Sequence, residues 1–174
     1  MVEGRAREGH IKNILFVCTA NVCRSPMAEA IFNALAEEKG LPWRAASAGV
    51  AALEGEDIIP NARAALEEVG IYPEGHRARQ VSEAMLEEAE LVLVMSPRHV
   101  RALRQHSKSL SDEVYTLPEY ATGVYSEAGI PDPYGHTMAT FRASVRQLHS
   151  YIDKVVERLE GTCCRAVSGR PRRG

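Results

Sequence analysis

The chain has 174 residues, 45% hydrophobic and 25% charged, the make-up expected of one soluble globular domain able to bury its own core. A net charge of −2 argues against a nucleic-acid binder, and no apolar run approaches the roughly 18 residues that cross a bilayer. Cysteines stand only at 18, 23, 163 and 164, without metal-ligand spacing, which points to free thiols in a reducing cytoplasm.

Residues 1–11 read as a flexible leader, since MVEGRAREGH lacks the apolar centre of a signal peptide. Residues 14–17, ILFV, form a continuous apolar run of the kind buried on both faces of a parallel sheet, and Cys18 ends it. After a polar loop, Ser25 suits a helix N-cap, Pro26 the first helical position, and Glu29 supplies negative charge to the opening turns. That helix runs through Ala28, Ile31 and Leu35 to Lys39 and a stopping Gly40. A weaker second strand covers 43–49, and a helix opened by Pro60 ends at Gly70. Ser82 caps a short helix, residues 91–95 (LVLVM) form a third strand, and Pro97 opens another helix. A fourth strand at 114–117 leads into a loop over 119–130, and a long amphipathic helix spans about 138–159.

Strands alternating with helices predict a single-domain α/β fold, a flavodoxin-like open parallel sheet of four strands with helices on both faces. Residues 12–160 form this domain. Residues 161–174 carry Arg165, Arg170, Arg172 and Arg173 without an acid, and read as a solvated, disordered tail. Those four charges, taken from the net −2, leave −6 for the rest.

The loop between the first strand and first helix has a chemical meaning. Backbone N–H groups squeezed there face a common concavity suited to an oxyanion. Arg24 adds a planar, permanently charged fork matched to phosphate oxygens. A thiol at the bottom of such a cradle is expected as thiolate, the nucleophilic form; the alternative is a buried structural cysteine.

The segment CTANVCRS (18–25) resembles the phosphate loop of the low-molecular-weight protein tyrosine phosphatases: Cys, five residues, Arg, Ser, with an Asn third after the Cys. SAG at 47–49, HRARQ at 76–80, LVLVM at 91–95 and DPYG at 132–135 follow in the family's order, so the likeness spans about 12–159. It implies an enzyme, a protein-tyrosine-phosphatase, that hydrolyses phosphotyrosine in proteins through a cysteinyl-phosphate intermediate. Cys18 would be the nucleophile, and Thr19, Ala20, Asn21, Val22, Cys23 and Arg24 would hold the phosphoryl group. Ser25 would donate to the thiolate and Asn21 would tie the loop. Asp132 would be the acid and later the base, although Asp-Pro is also ordinary turn chemistry. His76 would buttress the loop through Asn21, with a plain surface histidine as the alternative. Cys23 would trap an oxidised Cys18 as a reversible disulfide. His99, His106, His136 and His149 lack metal-site spacing and receive no role.

Thiolate chemistry needs no metal or organic cofactor. Partners expected are phosphorylated proteins, with inorganic phosphate as product and neither nucleic acid nor membrane. Tyr134 and Leu53 align with the family's substrate walls. Here Gly135 replaces a second tyrosine found in animal members, and Leu53 stands where many tyrosine-specific members are aromatic. A bacterial arginine phosphatase branch has a similar stretch to EYATG at 119–123, but prefers Thr at Val22, so it is the alternative. Arsenate reductases of this fold need mid-chain cysteines, and none occurs between Cys23 and Cys163. A non-catalytic phosphate-binding module has no need of Cys18, Arg24, Ser25 and Asp132 together.

Overall fold

The computed structural model describes residues 9–167. Four strands, β1 (Lys12–Cys18), β2 (Trp43–Gly49), β3 (Leu91–Val94) and β4 (Val114–Thr116), form one parallel sheet in the order β2-β1-β3-β4. Among the described residues six helices join or follow them: α1 (Arg24–Glu38), α2 (Pro60–Glu67), α3 (Glu83–Glu88), α4 (Pro97–His106), α5 (Leu117–Thr122) and α6 (Met138–Val167).

The period of two along β1 divides the core. Ile14, Phe16 and Cys18 pack on one face with Met27, Ile31 and Phe32 of α1, Leu66 of α2, and Phe141, Leu148 and Ile152 of α6. Leu15 and Val17 point to the other face, against Leu86 of α3 and Leu103 of α4. Because both faces are covered, the central strands read as unbroken apolar runs rather than alternating ones. All strands being parallel, their carboxyl ends lie along one edge. The register pairs Cys18 with Gly49, and Val17 with both Ala48 and Val94. Cys18 therefore emerges at the edge where open α/β sheets bind ligands.

Three expectations are corrected. Helix α1 begins at Arg24 with Cys23 at its cap, and no side chain caps it; Ser25 lies inside the first turn. Residues 117–122, expected as strand end and loop, form α5, because Thr116 accepts from the Glu119 N–H (3.2 Å) while Leu117 and Pro118 bury. Helix α6 continues past 159 to Val167, since Gly161 alone is a weak breaker and no proline comes before Pro171. Residues 1–8 of the expected leader and 168–174 of the expected tail lie outside the described residues. Among the described residues no helix is long and apolar enough to cross a membrane.

Candidate active site

The loop from Cys18 to Arg24 is held open by its carbonyls. Those of Cys18, Thr19, Ala20 and Val22 accept from the N–H groups of Val50, Ala51, Leu53 and Ile59 at 2.9–3.1 Å. His76 Nε2 lies 2.8 Å from the Asn21 carbonyl, and since a carbonyl only accepts, that nitrogen carries the proton. Each trans peptide points its N–H opposite its C=O, so outward carbonyls turn the amides of residues 19–23 into the concavity. The Asn21 N–H, reaching Cys18 Sγ at 3.3 Å, shows that direction directly. Asn21 holds φ +60°, the left-handed region that Asn tolerates better than most residues.

A chain of side chains backs the loop. Asn21 Nδ2 donates to Ser25 Oγ (2.8 Å) and Ser47 Oγ (3.0 Å), and Asn21 Oδ1 accepts from the Arg79 N–H (3.0 Å). Ser47, already accepting, donates to Glu29 Oε2. Ser25, also accepting, keeps its own hydrogen for Cys18 Sγ, 2.9 Å away, with the Ala48 carbonyl at 3.4 Å as the competing acceptor. The serine expected to cap α1 is therefore turned to the thiol instead. Glu29, expected to complement the helix dipole, is occupied by Ser47.

Arg24 is 2% exposed and anchored through Nη1 to the Ile130 carbonyl (3.1 Å), while Nη2 meets Asp132 Oδ2 at 3.3 Å. Asp132 Oδ1 accepts from the Tyr134 N–H at 3.1 Å, so one turn orients both residues. Burial, followed by the charges of Asp132 and Cys18, pushes the Cys23 thiol up to about 12, against the pull of Arg24. The Cys23 thiol is therefore protonated at neutral pH. Beside the loop, apolar Val22, Leu53, Ile59 and Tyr134 and charged Glu56, Asp57, Arg63 and Glu67 line an open cleft of about 560 Å³. Leu53 is 48% and Tyr134 59% exposed.

The structure thus gathers Cys18, Asn21, Cys23, Arg24, Ser25, His76 and Asp132 into one cluster, with Leu53 and Tyr134 at its rim. Sequence reasoning misses Ser47, Arg79 and His99. The first two lie within the SAG and HRARQ stretches, where only the motif was legible. His99, with no assigned role, lies buried with Nε2 2.9 Å from Thr19 Oγ1. Its one sequence signal is its position just after the apolar run of β3, at the edge where sites form. Among the described residues no group of His, Cys, Asp and Glu could hold a metal ion.

Residues 13–163 match the low molecular weight phosphotyrosine protein phosphatase family. A protein-arginine-phosphatase of Bacillus subtilis is 36% identical over 148 residues, covering 85% of this chain and 97% of that protein. A probable low molecular weight protein-tyrosine-phosphatase of Ralstonia solanacearum is 33% identical, covering 86% and 97%. The crystal structure of a low molecular weight protein tyrosine phosphatase from T. tengcongensis superposes with a TM-score of 0.80 at 39% identity, covering 84% of this chain and 99% of that one. With that breadth of match, and a Cys-Arg loop whose amides face inward, the chain belongs to the low-molecular-weight protein tyrosine phosphatase family.

Proposed function

We propose that this phosphatase hydrolyses phosphotyrosine in proteins through a cysteinyl-phosphate on Cys18. The observation that carries the reading is the environment of Cys18 Sγ, 2.9 Å from Ser25 Oγ and 3.3 Å from the Asn21 amide, at the base of an inward-facing amide loop. The thiolate attacks phosphorus, the S–P bond forms, and the P–O bond to the phenol breaks as Asp132 protonates the leaving oxygen. Asp132 then takes a proton from water, which attacks phosphorus, and the sulfur leaves as a thiolate stabilised by the Ser25 hydroxyl. The amides of residues 19–23 and the Arg24 fork hold the phosphoryl oxygens throughout. His76 and Asn21 keep the loop in shape. Phosphorylated proteins are the partners, inorganic phosphate the product, and the cytoplasm the compartment in which Cys18 and Cys23 stay reduced.

Val22, Leu53 and Tyr134 offer apolar surface to a phenyl ring, which supports tyrosine, while Glu56, Asp57 and Glu67 in the same cleft are acceptors of the kind a guanidinium needs. Phosphoarginine stands as the second reading because the 36%-identical Bacillus subtilis relative is named a protein-arginine-phosphatase. Paired phosphotyrosine and phosphoarginine peptides decide, with Cys18→Ser as the blank. Preference for phosphotyrosine is expected; preference for phosphoarginine replaces the substrate and leaves the Cys18 chemistry standing. An active Cys18→Ser variant would overturn the mechanism. Asp132→Asn should slow poor leaving groups far more than good ones, and equal losses would remove Asp132 as the acid.

A further inference from the structure

Beyond the groups given a step above, one titratable side chain is buried against the phosphate loop. His99, in the first turn of α4, is 1% exposed and engages both ring nitrogens. Nε2 lies 2.9 Å from Thr19 Oγ1, and Nδ1 lies 3.3 Å from Ser96 Oγ. Thr19 directly follows the nucleophile, and its N–H belongs to the first peptide of the cradle. The other side of the same corner meets the segment that carries Asp132. The Ile130 N–H donates to the Met95 carbonyl at 2.7 Å, and the Ile130 carbonyl in turn holds Arg24. Gly129 packs so closely that a Cβ there would fall 2.5 Å from the Met95 carbonyl oxygen and 2.6 Å from Ser96 Cβ. Burial and the charges of Arg24 and Arg98 push the imidazole down to about 4, against Asp132, so it stays neutral beside the guanidinium at working pH.

We propose that His99 is a positioning residue for phosphoryl transfer: its Nε2 fixes the Thr19 hydroxyl, and with it the first peptide of the cradle, while Ser96 and Gly129 lock that corner to the segment bearing Asp132. The proposal rests on Cys18 being the nucleophile. A cradle misaimed by a fraction of an ångström loses contacts to the transition state before it loses contacts to bound substrate.

Glutamine and asparagine separate the two bonds, because the Gln amide nitrogen reaches about where Nε2 lies and the Asn amide nitrogen about where Nδ1 lies. Turnover of 4-nitrophenyl phosphate and inhibition by vanadate are measured for Thr19→Val, His99→Asn, His99→Gln and Cys18→Ser. Thr19→Val and His99→Asn should each lower kcat about tenfold or more and weaken vanadate in parallel, with KM changing less than about threefold. His99→Gln should keep most of kcat, and combining Thr19→Val with His99→Asn should cost no more than either alone. An unchanged kcat in Thr19→Val overturns the proposal. So does His99→Asn outperforming His99→Gln, which would confine the ring to holding Ser96. If His99→Asn fails to fold, Thr19→Val decides alone. An active Cys18→Ser variant would sink the nucleophile reading itself, whereas an inactive one beside a fully active Thr19→Val would sink only the role of His99.

Discussion

Cys23 illustrates how one residue's environment divides labour inside a shared loop. Its thiol, raised to about 12, stays protonated at neutral pH and so is itself a poor nucleophile, since only a thiolate is a useful one. Part of what raises it is the charge on Cys18. When peroxide converts Cys18 to the sulfenic acid, that charge disappears and Cys23 becomes easier to deprotonate. In the role proposed for Cys23, its sulfur would then attack the Cys18 sulfur, the S–O bond would break, and water would leave with the Cys23 proton. Brief peroxide treatment should therefore give a Cys18–Cys23 peptide cross-link by mass spectrometry, with activity returning on addition of dithiothreitol. Cys23→Ala should lose activity irreversibly under the same treatment. Recovery of Cys18 as a sulfinic acid beside a free Cys23 thiol in the unmutated protein would end this assignment.

At the scale of elements, the phosphate loop keeps its shape because β2 comes up against it without a side chain. A Cβ on Gly49 would stand 2.4 Å from the Thr19 carbonyl oxygen and 3.1 Å from the Asn21 nitrogen, both backbone atoms. Gly49 cannot retreat, since its N–H donates to the Arg79 carbonyl and its carbonyl accepts from the Val81 N–H, each at 2.9 Å. Gly49→Ala should therefore displace the loop, lowering stability by about 1–3 kcal/mol and kcat by more than that loss accounts for. Gly70→Ala is the control: φ +80° in open space beyond α2 predicts about 1 kcal/mol of strain with kcat intact. Equal effects on kcat would mean that Gly49 is no more than a backbone device. The same contrast explains what could be read from the sequence. The strands at 14–17 and 91–95 and the starts at Pro60, Ser82 and Pro97 announce themselves locally, through apolar runs and caps. Helix α5 does not, because LPEYAT is short and runs into glycine-rich polar sequence. The cap of α1 is not legible in the sequence because Ser25, a good N-cap by type, is captured by Cys18 across seven residues. His99 and Thr19, eighty residues apart, leave no spacing to detect.

For the whole molecule, stability against acid separates into two windows. Asp57, held low by the Ile58 N–H and by Arg63 and Arg77, and Glu68, held low by Arg142 of α6, lie on the surface. Their contributions are present above ordinary carboxylate values near 4 and fade as pH falls through their lower folded values. His99 acts earlier. Its folded value of about 4 lies below the 6.5 of an unfolded histidine, so between these pH values the unfolded chain binds the extra proton. Stability is then fully present above about 6.5 and drains away as pH falls toward 4, by on the order of 3 kcal/mol for this depth of shift. Accepting the proton while folded would place an imidazolium against Arg24 and Arg98 in a buried corner. Thermal melts from pH 8 to 3.5 should show the melting temperature of the unmutated protein falling through the 6.5–4 window. His99→Gln, which cannot titrate, should hold level there and fall only where the carboxylates protonate. Parallel profiles would mean that the charge on His99 is screened or relieved by local opening, and that the acid sensitivity of the fold resides in its carboxylates alone.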